Sequence, residues 1–125
     1  MKENILKMKS FKFAVRIVNL FKYMRDEKKE FVMSKQVLRS GTSVAAMIRE
    51  GEHSESKHDF IHKMAIAQKE INETLFWLEL LSVTEYISTA EFESINADAI
   101  EIIKLLTSSI KTAKQSLTTS LTINH

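Results

Sequence analysis

SKHDFIHKMAIAQKEINETLFWLELLS, residues 56–82, contains neither Gly nor Pro. Its apolar residues fall at Phe60, Met64, Ala67, Ile71, Leu75, Leu78 and Leu81. Steps of three and four keep one side of an α-helix apolar, here for about seven turns. Lys57, Lys63, Lys69, Glu70, Glu73 and Glu79 occupy the other side. A helix this long and this one-sided needs partners, and the rest of the chain reads as the elements that cover it.

Ser56, with Asp59 three residues on, forms a capping box that starts this helix, with Asp in place of Glu. Upstream, Ser34 is a good N-cap residue for a helix over 34–50, with Val37, Gly41, Val44 and Ile48 on its inner face. Gly41 inside a helix costs about 1 kcal/mol against Ala, so a packing reason is expected there. Gly51 reads as a C′ terminator. The first helix covers about 3–28. Phe11, Ala14, Val18 and Phe21 trace one face, and Val15, Ile17, Leu20 and Met24 widen it. An apolar arc that broad belongs to a central helix or to one partly buried in an oligomer. Downstream, Ser88-Thr89-Ala90-Glu91 opens a helix over 88–118, with a seam at Phe92, Ile95, Ala99, Ile102, Leu106, Ile110, Ala113 and Leu117. The tail 116–125, polar and β-branched, is expected to fray. Four helices with short links give one all-α domain over 1–125, an up-and-down four-helix bundle.

The 125 residues are enough for a core without staples, and no cysteine is present. The N-terminal MKENILKMKSFKF has no uninterrupted apolar core, so a secretory leader is not expected, and no stretch has membrane-spanning character. The expectation is a soluble cytoplasmic protein. Charge is unevenly spread. Residues 1–50 hold 12 Lys/Arg against 5 Asp/Glu, and residues 51–125 hold 6 against 11. That split marks a basic surface for an acidic partner, or two halves that neutralise each other. Lys9, Lys12 and Arg16 form one stripe of the first helix. Lys22, Arg25 and Lys29 continue it one side over, and Arg39 and Arg49 add to it from the second helix. Cations spaced along a surface suit a phosphate backbone, so these eight are the candidate nucleic-acid contacts, with Tyr23 and Phe13 as candidate stacking aromatics.

Other constellations carry less. His58 and His62 share a helix face, but no third ligand is apparent and Asp59 serves as a cap, so no metal site is expected. Glu50/His53 and Glu55/His58 match Glu-x-x-His but sit beside helix ends, and the inner seams lack the carboxylates of a di-iron bundle. Glu70 and Glu73 read as surface carboxylates, with Lys69 paired to Glu73. Trp77 fits a subunit interface or the edge of the core. No nucleophile elbow, catalytic triad order or phosphate loop is present. The reading is a non-enzymatic protein without a cofactor.

The run RSGTSVAAMIREG (39–51), followed by HDFIHKMAIAQKEINETLFWLELL (58–81), resembles the bacterial four-helix-bundle family of proteins encoded in intervening sequences of 23S rRNA genes. The resemblance spans about residues 10–115. Met47 stands where that family often has Asn. The resemblance implies a bundle assembled as a ring-shaped homopentamer. It extends to the accessory proteins of diversity-generating retroelements, which bind nucleic acid and a reverse transcriptase through a basic surface. The partners it implies are further copies of this chain, RNA or DNA, and a nucleic-acid-processing protein. The alternative is a structural or adaptor oligomer that binds a protein partner and has no nucleic-acid role.

Overall fold

A computed structural model describes residues 2–124, with side chains over 5–119. Four helices follow one another: α1 Lys2–Asp26, α2 Met33–Gly51, α3 Lys57–Val83 and α4 Thr89–Asn124. Each packs on two neighbours, in the cyclic order α1, α2, α3, α4, and the diagonal pairs do not meet among the described residues. Cross-helix contacts fix the directions. Lys7 meets Glu52, Lys63 meets Glu50, and Lys9 meets Glu101, so successive helices run antiparallel. This is the up-and-down bundle that the periodicity predicts.

The core runs the length of the bundle through Phe13, Ile17 and Met24 of α1, Val37, Val44 and Ile48 of α2, Met64, Ile71, Leu78 and Leu81 of α3, and Ile95, Ala99, Ile102 and Leu106 of α4. Two seams differ from expectation. In α3 the fully buried slot belongs to Thr74, while Leu75 is half-buried. In α1 the buried line is Leu6, Ser10, Phe13, Ile17, Leu20 and Met24; of the predicted line Phe11 is 51% exposed while Ala14, Val18 and Phe21 are half-buried, and Val15 beside it is 46% exposed. Two apolar lines run along α1, and only one can face the other three helices.

The helix ends differ in detail too. Ser34 is not the N-cap of α2: that position falls to Val32, which supplies no side-chain cap. Glu30 does the work instead. Its carboxylate accepts from the backbone N–H groups of Val32 (3.1 Å), Met33 (3.0 Å) and Ser34 (2.8 Å), and the Ser34 hydroxyl donates to the Glu30 carbonyl. Three donors left unsatisfied by helix geometry thus converge on one buried carboxylate. Gly51 does not terminate α2 with a positive φ; it is the last residue of the helix and is buried against α3. A Cβ there would lie 2.5 Å from Met64 Cε. Gly41 has the packing reason expected of it, since a Cβ would lie 2.8 Å from both Cγ1 and Cγ2 of Ile17. Ser56 and Ser88 cap α3 and α4, accepting from the N–H groups of Asp59 (3.0 Å) and Glu91 (3.1 Å).

The expected fraying of the tail is not seen: α4 stays helical to Asn124. With 36 residues it is about 54 Å long, against about 40 Å for the 27 of α3. Lys57, the first residue of α3, hydrogen-bonds Ser116 of α4. The backbone beyond Ser116 therefore runs past the start of α3 for about 12 Å.

Candidate nucleic-acid interface

The eight candidate contacts divide into two groups. Lys9, Arg16 and Arg39 are engaged within the chain. Lys9 Nζ lies 2.6 Å from a Glu101 carboxylate oxygen. Arg16 spans to α4, donating to Asp98 at 2.9 Å and to the Ser94 hydroxyl at 2.8 Å, with Glu91 3.8 Å away. Arg39 donates to Glu70 at 3.1 Å and also to Glu73, and the Glu73 hydrogen bond, ahead of other influences, holds its guanidinium above the usual range. Glu73 is thus taken by Arg39 from α2, not by Lys69 as the spacing suggests. These pairs sit at the surface, where each contributes well under about 1 kcal/mol to stability. They do cancel the positive field where the sequence suggests it is strongest.

Lys12, Lys22 and Lys29 are exposed and form no hydrogen bond or ion pair among the described residues. Arg25 is bonded to the adjacent Asp26 at 2.7 Å and lies 5.7 Å over the Phe21 ring. That hydrogen bond holds the Asp26 carboxyl below its usual range, and the charges of Lys29 and Lys22 add to the effect. Lys28, which sequence reading passed over, stacks its ammonium 5.8 Å over Tyr23. The end of α1 and the turn after it therefore carry Lys22, Arg25, Lys28 and Lys29, of which Lys28 stands over the exposed ring of Tyr23, with Asp26 and Glu27 as the opposing charges. Phe13, the other candidate stacking aromatic, is buried in the core. Arg49 lies apart, its guanidinium 5.5 Å over Phe11 on the outer side of α1 and α2.

Around Phe11 the outer surface of α1 is apolar. Ile5, Met8, Phe11 and Val15 are all exposed, at spacings that keep them on one side of the helix. On α3, Phe76 is exposed and packs edge-on against Trp77, 5.0 Å between ring centres. Trp77 is half-buried against the core, and its indole N–H is buried without a partner among the described residues. His58 and His62 are exposed, and among the described residues no group of three or more His, Asp or Glu stands close enough to hold a metal ion. No helix among them is long and apolar enough to cross a membrane.

Four antiparallel helices, each packed on two neighbours, define an all-α bundle protein. The sequence model of the 23S rRNA-intervening sequence proteins matches residues 2–108, and the chain belongs to that family. It is similar to a protein of unknown function from the S23 ribosomal protein family of Bacteroides thetaiotaomicron, known from a crystal structure, at 62% identity and a TM-score of 0.88. That match covers 89% of this chain and 99% of the other. No functionally curated protein matches the chain.

Proposed function

We propose that the protein is a non-enzymatic, self-assembling protein of the bacterial cytoplasm that binds nucleic acid at the end of α1. The carrying observation is the group of exposed cations at that end, Lys22 and Lys29 without ion-pair partners and Lys28 over Tyr23, with Lys12 also unpaired farther back along α1. Ammonium groups of this kind neutralise phosphates, and an exposed tyrosine ring offers a face for an unstacked base. The exposed apolar line Ile5, Met8, Phe11 and Val15 supports self-assembly, for which the family resemblance supplies the five-membered ring.

A direct test is fluorescence anisotropy with a labelled RNA hairpin and a labelled single strand across a salt series, comparing wild type with Lys12→Gln/Lys22→Gln/Lys29→Gln. The reading expects at least a tenfold loss of affinity and a salt slope reduced by about 2 for the single strand. Unchanged affinity in the variant would refute it.

A second reading, an adaptor oligomer with a protein partner, draws on the internal neutralisation of Lys9, Arg16 and Arg39. It expects wild-type protein to bind RNA no better at moderate salt than the variant does.

A further inference from the structure

The charge of α4 is divided along its length. From Thr89 to Glu101 the helix carries four carboxylates and no Lys or Arg; from Ile102 to Asn124 it carries three lysines and no carboxylate. The acidic part faces α1 and receives Lys9 and Arg16. The basic part has no such counterpart. The ammonium groups of Lys104, Lys111 and Lys114 form no hydrogen bond or ion pair among the described residues; the Lys114 carbonyl accepts from the Thr118 hydroxyl at 3.2 Å.

These lysines are ordered, not scattered. Lys104, Thr107, Lys111, Lys114 and Thr118 follow one another at steps of three and four, and all five are exposed, so they make one outward stripe. The ten steps along the helix from Lys104 to Lys114 rise about 15 Å. Thr107, Lys111, Lys114 and Gln115 also line a shallow surface hollow. The Gln68 amide donates to the Thr107 hydroxyl at 3.0 Å, which leaves that hydroxyl's own hydrogen free to point outward. Support for the helix dipole does not account for the lysines, because that effect is confined to the last turn and no basic residue lies in the last turn of α4.

We propose that this stripe is a second nucleic-acid contact, in which Lys104, Lys111 and Lys114 neutralise consecutive phosphates of an RNA strand while Thr107 and Gln115 donate to phosphate oxygens. Contacts of this type carry no sequence preference; they add affinity and salt dependence. The stripe is separate from the α1 cations. Lys22, Lys28 and Lys29 lie toward the opposite end of the bundle from the stripe, because α1 and α4 run antiparallel and Lys9 pairs with Glu101, whereas Lys12 lies one turn from that pair. The sequence-model match ends at residue 108, so Lys111 and Lys114 fall outside it.

The test uses the full chain, wild type against Lys104→Gln/Lys111→Gln/Lys114→Gln, with labelled single-stranded RNA and a salt titration. Circular dichroism and light scattering verify that helix content and assembly are unaltered. The triple variant is expected to bind about tenfold more weakly at moderate salt, with the slope of log affinity against log salt reduced by about 2. An unchanged affinity and slope would overturn the proposal, as would wild-type protein that fails to bind RNA. The α1 variant described above, run alongside, separates the two readings. Loss in the α4 variant alone supports this stripe and removes the α1 surface, and loss in the α1 variant alone does the reverse.

Discussion

The hydroxyl of Thr74 on α3 lies 2.8 Å from the hydroxyl of Ser40 on α2, and neither residue is exposed to solvent. This is a polar contact inside an otherwise apolar seam. Each hydroxyl also has a carbonyl one turn back, Glu70 for Thr74 and Gln36 for Ser40, both within 2.9 Å. The site is therefore satisfied, and it fixes how α2 and α3 are registered against each other. Thr74→Val keeps the volume and removes the link, and is expected to cost about 1 kcal/mol. In a double-mutant cycle with Ser40→Ala, urea denaturation should give a coupling of at least about 0.5 kcal/mol. Additive effects would mean that the two hydroxyls do not interact.

The two glycines should respond differently to alanine. At Gly41 the new Cβ meets Cγ1 and Cγ2 of Ile17, atoms close to the α1 backbone on a stiff, fully buried side chain. At Gly51 it meets the terminal methyl of Met64, which a rotamer change can withdraw. Gly41→Ala is expected to destabilise by about 1–3 kcal/mol despite the better helix propensity of Ala. Gly51→Ala is expected to stay within about 1 kcal/mol of wild type. Thermal melts of the two variants check the order, and Ile17→Ala, which removes both γ carbons, should cost less in the Gly41→Ala background than in wild type.

Glu30 gives the corner between α1 and α2 an acid dependence. Burial by itself would raise its carboxyl, but the N–H groups of Ser34, Met33 and Val32 outweigh burial and hold it below the ordinary 4.5. A group that titrates lower in the folded chain than in the unfolded one stabilises above the unfolded value, and that stabilisation is lost as pH falls through the folded value. Glu30→Gln, which turns an amide N–H₂ toward these donors, is expected to cost about 1–3 kcal/mol at pH 7. The gap to wild type should narrow as pH is lowered below 4.5. A gap independent of pH, measured by urea denaturation, would show that the charge of Glu30 is not what caps α2.

Phe11→Glu tests the outward line of α1. Phe11 is half exposed and contributes little to the core, so the bundle should remain folded. If this line is buried between copies, the dissociation constant of the assembly should rise by roughly 30-fold or more, the effect of losing a central aromatic contact. Sedimentation velocity over a concentration series measures this directly.

The two faces of α1 also mark how far the sequence can be read. The seams of α2 and α4 were legible because each has one apolar line, and Val37, Val44, Ile48, Ile95, Ala99, Ile102 and Leu106 all lie inside. In α1 the lines through Phe13 and Phe11 are equally apolar, and periodicity does not say which one turns inward. The cap of α2 was missed because Glu30 acts from outside the helix, two residues before the N-cap position and directly after a left-handed residue, Lys29, with φ 54°. The basic stripe of α1 was legible as composition. Its neutralisation was not, because Asp98 lies 82 residues from Arg16 in the chain. The lysines of α4 escaped notice for the opposite reason. The second half of the chain is acidic in total, and that total conceals the turns after Glu101.

The overhang of α4 gives the molecule a top and a bottom. At one end the helices finish in short turns; at the other a single helix continues for about 12 Å beyond the first residue of α3. When copies of such a chain are arranged by rotation about an axis along the bundle, every projection emerges on the same side. The resulting object has one smooth face and one crowned with a circle of helical posts. A long polymer approaching along the axis would meet a different chemistry according to the direction from which it came.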